Sequence, residues 1–115
     1  MNRESIEILR FQQGKKDNVC IIELLEDKGR YYVYVNQGKR AADKVEQIMY
    51  TTLEDPESAF DSFNSEIKFK LSKGYQFLPE GSSIDIPWFA ALPGNQKAPK
   101  VFKIASSEEH RKLSV

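Results

Sequence analysis

Apolar and polar side chains alternate along much of the first half of the chain, which is the pattern of antiparallel strands with one buried face. Turn-forming residues interrupt the alternation at GKKDN, residues 14–18, and at Asp27 to Gly29. We therefore predict a meander of strands over residues 5–13, 19–26, 30–36 and 44–53. The segment VCIIELLE is apolar almost throughout, which is typical of a strand in the interior of a sheet.

A different period follows the meander and predicts one amphipathic helix. Its apolar side chains recur at spacings of three, four and four, and they are Phe60, Phe63, Ile67 and Leu71. Asp55 is a natural N-cap, Pro56 suits the first helical position, and Gly74 is a typical stop. The sequence therefore predicts an α+β fold in which one helix packs on an antiparallel sheet.

The character of the chain changes after residue 78. Residues 79–100 hold four of the five prolines and two of the six glycines. We predict a domain over residues 1–78 and an irregular extension over residues 79–115, packing on that domain or trailing from it. The apolar segment IDIPWFAAL is expected to pack across the core or to cover Phe69, which points away from the helical stripe. The pattern also predicts a strand at residues 100–104 and a short helix at residues 106–113.

The composition narrows the function classes. Seventeen basic and seventeen acidic side chains give no net charge, so a nucleic-acid partner is not indicated by the totals. No apolar run approaches the roughly 20 residues that span a bilayer, and the N-terminus has no apolar stretch typical of a signal peptide. The sequence thus predicts a cytoplasmic protein with no membrane partner.

Residues with catalytic or metal-binding potential are few. Cys20 lies in the most apolar segment and His110 lies far away in a polar tail, so a buried and inert thiol is expected. A zinc site built from one cysteine and one histidine is nearly excluded, and no glycine-rich phosphate loop or dinucleotide fingerprint occurs. We expect a protein that is not an enzyme and takes no metal, cofactor or small-molecule substrate.

Positive charge is concentrated in one segment of this neutral chain. Between residues 28 and 44 one acidic residue, Asp43, stands among five basic ones, which are Lys28, Arg30, Lys39, Arg40 and Lys44. The predicted loop at residues 37–43 follows a strand, and Gly38 in it would let the backbone approach a partner closely. Two interpretations stay open: a solvated turn between strands, or a contact surface for phosphate groups.

Two stretches, VCIIELLEDKGRYYVYVNQGKRAAD and DPESAFDSFNSEIKFKLSKGY, resemble the WGR domain family, which occurs in poly(ADP-ribose) polymerases and in short bacterial proteins. The resemblance covers residues 18–77 and is most specific at the Lys73-Gly74-Tyr75 ending and at Gly38. Gln37 stands where the family has its tryptophan, and Lys39, next to Arg40, stands where it has its arginine. The resemblance implies a WGR-like fold and DNA binding in which Lys39 meets a phosphate as a point charge, without the stacking surface that a tryptophan provides.

Two functions follow as alternatives. The first is a nucleic-acid-binding module whose candidate residues are Gln37, Gly38, Lys39, Arg40, Lys44 and Lys73. The second is a protein-interaction or regulatory module of the same fold. It would present an apolar patch from Tyr32, Tyr34, Phe69 or the PWFAALPG segment, with Trp88 and Phe89 as its natural anchors.

Overall fold

The computed structural model describes residues 2–94 and 101–103, and its centre is a five-stranded antiparallel sheet of strand order β4-β3-β2-β1-β5. The strands are β1 (Asn2–Gln13), β2 (Lys16–Asp27), β3 (Arg30–Lys39), β4 (Glu46–Leu53) and β5 (Gln76–Phe77). The predicted meander is confirmed. Strand β2 lies in the middle of the sheet, as its continuous apolar run predicted.

A two-residue turn joins β2 to β3. Lys28 and Gly29 have φ angles of 53° and 82°, so both occupy the left-handed region. Two such residues make the hairpin turn whose twist matches that of the flanking strands. The predicted tight turn is confirmed, and it sets the register in which Asp27 pairs with Arg30.

Strand β3 is longer than the sequence predicted. Gln37, Gly38 and Lys39 were expected in a loop, but they pair with Cys20, Val19 and Asn18 of β2. The prediction was wrong because β2 itself begins earlier, at Lys16, and so offers backbone partners to these residues. The connection between β3 and β4 is correspondingly short and begins at residue 40.

One helix, α1 (Pro56–Ser72), covers one face of the sheet. The Asp55 side chain accepts a hydrogen bond from the Ser58 amide at 2.8 Å, which confirms the predicted cap. The helix buries its stripe against alternate side chains of the sheet. Together these form the first core, made of Leu9, Cys20, Ile22, Leu24, Val33, Val35, Ala59, Phe63, Ile67 and Tyr75. The α+β architecture, an antiparallel sheet packed by one helix, is confirmed.

The opposite face of the sheet is covered by the segment that follows β5. This segment contains β6 (Ser83–Asp85), paired with β7 (Val101–Lys103), and a 3-10 helix at Pro87–Ala91. Its apolar side chains form a second core, made of Ile8, Val19, Ile21, Leu78, Ile84, Ile86, Trp88, Phe89 and Leu92. Strand β2 is therefore apolar on both faces because both faces are covered.

The extension packs on the sheet and ends in a strand within the described residues. The IDIPWFAAL segment packs across the core as predicted, and Phe69 keeps 52% of its surface exposed. The predicted last strand is confirmed over Val101–Lys103. The predicted helix at residues 106–113 lies outside the described residues.

A buried ion pair joins the extension to the sheet. Glu23 of β2 is fully buried and accepts hydrogen bonds from Arg3 Nη2 at 2.6 Å and Nε at 2.9 Å. Gly94 lies against this pair, and a Cβ atom there would come within 2.9 Å of the Arg3 guanidinium. Burial raises the pKa of the Glu23 carboxyl, whereas Arg3 and the Gly94 amide act in the opposite direction. The glycine thus allows the extension to close over a charged group inside the second core.

Candidate nucleic-acid interface

Three elements meet at the same end of the sheet, where strands β1 and β3 end and β2 begins. The β1–β2 hairpin turns at Gly14, β3 ends opposite that hairpin, and the last turn of α1 contacts β3 through Lys70 Nζ, which donates to Gln37 Oε1 at 2.5 Å. We call this region the basic end. Its exposed cations are Lys15, Lys16, Lys39, Lys44, Lys68 and Lys73.

Both Gln37 and Gly38 are engaged inside the molecule. The Gln37 side chain accepts the hydrogen bond from Lys70, so it does not project as the tryptophan of a WGR motif is expected to. A Cβ atom at Gly38 would lie 3.4 Å from the Lys44 carbonyl oxygen and 3.7 Å from Trp88 Nε1. The close approach that Gly38 permits is therefore made by the chain itself.

Trp88 holds the extension against the end of β3. Its indole N–H donates to the Lys39 carbonyl oxygen at 2.9 Å, and only 1% of the residue is exposed. Phe89 is 4% exposed. The two aromatic residues proposed as anchors of a protein-contact patch are thus core residues, and the PWFAALPG segment does not present them to a partner.

Arg40 is bound within the protein. Its Nε donates to Asp17 Oδ2 at 2.8 Å, its Nη1 donates to the Asp85 carbonyl oxygen at 3.0 Å, and its amide donates to the Asp17 carbonyl oxygen at 2.9 Å. Arg10 donates to both oxygens of the same carboxylate, each at 2.8 Å. These contacts lower the pKa of the Asp17 carboxyl, and the hydrogen bonding of Arg10 is the largest cause. Arg40 therefore ties the β3–β4 connection to β2.

Of the predicted site residues, Lys39, Lys44 and Lys73 have exposed side chains. Lys39 and Lys44 lie near each other because the Lys44 carbonyl packs on Gly38. Lys73 caps the helix whose last turn contacts Gln37, and its Nζ lies 5.2 Å from the centre of the Phe69 ring. The structure thus brings these three lysines to one end of the molecule.

The five basic residues between positions 28 and 44 do not form one cluster in the structure. Lys28 and Arg30 belong to the β2–β3 turn, at the opposite end of β3 from Lys39. A strand of this length spans roughly 30 Å. The interpretation of residues 28–44 as one basic segment was wrong in this respect, because an extended strand separates its two ends.

Sequence reasoning also missed cations that belong to the basic end. Lys15 and Lys16 follow the β1 strand in the chain, but the pairing of Asn18 with Lys39 brings their hairpin beside the end of β3. Lys70 was not among the predicted site residues, although it contacts Gln37 of β3. The lysine pair in GKKDN was a visible signal, but its position depends on strand pairing that a local pattern does not contain.

Positive charge exceeds negative charge at the basic end. Beside the six exposed lysines it holds Arg10, Arg40 and Lys70, and its carboxylates are Asp17, Asp43, Glu46, Glu66 and Asp85. The other end of the sheet has the reverse balance. There Lys28 and Arg30 stand among acidic residues at the strand ends and the helix start, which include Glu26, Asp27, Glu54, Asp55 and Glu57. Within the described residues, charge is therefore distributed unevenly between the two ends of the sheet.

A second surface is formed by tyrosines on β3 and β4. The rings of Tyr34 and Tyr50 are 4.7 Å apart, and those of Tyr32 and Tyr50 are 5.9 Å apart. Tyr50 keeps 47% of its surface exposed, and Ile48 beside it in β4 keeps 46%. Among the described residues, Tyr32, Tyr34 and Tyr50 belong to neither core.

Other chemistry is limited in the part of the chain that is described. Burial raises the pKa of the Cys20 thiol to about 12, so this buried cysteine is a thiol at neutral pH. No group of three or more His, Cys, Asp or Glu side chains among the described residues could hold a metal ion. Within those residues, no helix is long and apolar enough to cross a membrane.

Comparisons with models of protein families, with curated proteins and with solved structures found no match. The WGR-like assignment therefore stays a prediction from the sequence.

Proposed function

We propose that this chain is a non-catalytic binding module that contacts the backbone of a nucleic acid through its basic end. The observation that carries the proposal is the concentration of exposed lysines contributed by the β1–β2 hairpin, the β3–β4 connection and the helix C-terminus. The resemblance to WGR domains implies the same class of partner, and Lys39 belongs both to the residues that carry the resemblance and to the basic end.

The geometry favours contacts to phosphate over contacts to base edges. Lys39 and Lys44 are exposed point charges on flexible stems, which suit phosphate oxygens and do not read sequence. Arg40 has the fork that reads a guanine edge, but its Nε and Nη1 already donate to Asp17 and Asp85. Binding is therefore expected to be weak, tolerant of sequence and strongly dependent on salt.

The proposal is tested by fluorescence anisotropy with labelled single-stranded and blunt double-stranded oligonucleotides at two salt concentrations. The logarithm of the affinity should fall with the logarithm of the salt concentration, with a slope of about −0.7 to −0.9 per phosphate neutralised. A slope near zero, or no binding at low salt, would overturn the proposal.

Two double variants with the same charge change locate the surface. Lys39→Gln with Lys44→Gln should reduce the affinity about ten-fold or more and make the salt slope shallower. Lys28→Asn with Arg30→Gln removes two positive charges at the opposite end of the sheet, and asparagine tolerates the left-handed backbone at residue 28. This control should change the affinity little, and an equal loss in both variants would contradict a local site.

A protein partner is the second candidate, and the tyrosine surface favours it. Tyrosine is enriched at protein interfaces because its ring buries a large area while its hydroxyl stays hydrated. Tyr50 and Ile48 lie on β4, which is one of the two edge strands of the sheet. If no oligonucleotide binds at low salt, this surface becomes the better proposal. Loss of binding to a partner on Tyr50→Ala, with the fold retained, would then support it.

A further inference from the structure

Phe69 is an exposed aromatic side chain that the fold does not use. It belongs to α1 but lies off the stripe that Phe63 and Ile67 bury against the sheet. With 52% of its surface exposed, it is the most exposed large apolar residue in the described part of the chain. The extension packs on the opposite face of the sheet, so the described residues leave this ring open to solvent.

The ring stands among ammonium groups at the basic end. Lys73 Nζ lies 5.2 Å from its centre, Lys68 precedes it in the helix with an exposed side chain, and Lys70 follows it and contacts Gln37 on β3. Glu66 is the carboxylate on the same turn of the helix. Phe69 therefore lies on the last turns of α1, the part of the helix that reaches the end of β3 through Lys70.

These neighbours indicate what kind of ligand the ring suits. Lysine is depleted in the cores of protein–protein interfaces, because its ammonium group is costly to dehydrate. Proteins that bind single strands combine aromatic rings, on which bases stack, with cations that follow the phosphates. An exposed ring bordered by lysines matches the combination of aromatic rings and cations found in proteins that bind single strands.

We propose that Phe69 stacks on a base of a single-stranded nucleic acid, while Lys73 and Lys68 contact the flanking phosphates. This inference rests on the proposed function and adds to it a contact with a base and a preference for single strands. The Lys73 side chain is exposed and flexible, so it can leave the ring for a phosphate when a base arrives.

The test compares Phe69→Leu with Phe69→Trp in the full chain, by anisotropy at low salt. The ligands are a labelled oligothymidine and an abasic strand of the same length, which keeps the phosphates but has no bases, and an oligouridine arm compares RNA with DNA. Phe69→Leu keeps an apolar side chain without a π face, and it should weaken binding to the base-containing strands about ten-fold while leaving the abasic strand unaffected. Phe69→Trp should match or exceed the wild-type affinity.

The outcomes separate this inference from the function on which it rests. If Phe69→Leu binds every strand like the wild type while the Lys39 and Lys44 double variant loses affinity, stacking is wrong and phosphate contact survives. An equal loss on base-containing and abasic strands would also overturn stacking. If the wild type binds no strand at all, both proposals fail. Thermal unfolding of each variant checks the fold, and the exposure of Phe69 predicts unchanged midpoints.

Discussion

At the scale of single residues, Asp17 decides which cations of the basic end are available. Its carboxylate holds Arg10 and Arg40 together, and its backbone carbonyl accepts from the Arg40 amide. Without its carboxylate the β3–β4 connection would lose the ion pair that joins Arg40 to β2. Asp17 therefore stabilises the site while subtracting positive charge from it.

Replacing Asp17 by Asn should act in opposite directions on stability and on binding. The free energy of unfolding at pH 7 should fall by about 1–2 kcal/mol, since charge-assisted hydrogen bonds from two guanidinium groups are weakened. The affinity for an oligonucleotide should rise, because both arginines lose their carboxylate partner. Urea unfolding and anisotropy measure the two effects.

The same substitution has a predictable dependence on pH. The pKa of Asp17 is lowered in the folded protein, so its contribution to stability is present above the unfolded pKa of about 3.9 and is lost as the pH falls through the folded value. The difference between wild type and Asp17→Asn should therefore shrink at acidic pH. A difference that stays constant down to pH 2 would contradict the assigned ion pair.

Glu23 should show the opposite pH dependence. Burial raises its pKa in the folded protein, so its contribution to stability is full below the unfolded pKa of about 4.3 and declines as the pH rises through the folded value. The free energy of unfolding of the wild type minus that of Glu23→Gln should therefore decrease with pH above that point. Urea unfolding over a pH series checks this, and an increase would show that pairing with Arg3 outweighs burial.

At the scale of elements, the sequence correctly predicted the features that depend on interactions between residues near each other in the chain. The β2–β3 hairpin follows from Asp27-Lys28-Gly29, and α1 follows from its cap, its stripe and its glycine stop. The end of β3 was mispredicted because Gln37-Gly38-Lys39 has the composition of a turn. Pairing with β2 outweighs that preference. The partner residues in β2 lie too far away in the sequence for a local pattern to include them.

The end of α1 offers a matched test of backbone conformation. Gly74 has a φ of 99°, and a Cβ atom there would lie 2.9 Å from the ring of Phe11. Gly14 has a φ of 59° with open space around it. Gly14→Ala should cost about 1–2 kcal/mol for the left-handed conformation, and Gly74→Ala should cost more because the ring must also move. Equal losses in urea unfolding would contradict the contact with Phe11.

At the scale of the whole molecule, the described residues of a chain without net charge place basic side chains mainly at one end of the sheet and acidic side chains mainly at the other. The sequence predicted a cationic loop. That prediction grouped Lys28 and Arg30 with the loop and did not include Lys15 and Lys16. Strand length separates the first pair from the loop, and strand pairing adds the second. The distribution of charge is therefore the feature of the candidate site that cannot be predicted without the tertiary structure.

We propose the basic end as the surface of this molecule that meets a nucleic acid. The most direct measurement is amide chemical-shift mapping by NMR during titration with a short single strand at low salt. Shifts should concentrate at Lys15, Lys39, Lys44, Phe69 and Lys73, and the signals of the β2–β3 turn should stay unmoved. Shifts centred on Tyr32 and Tyr50, or none at saturating strand concentration, would contradict this proposal.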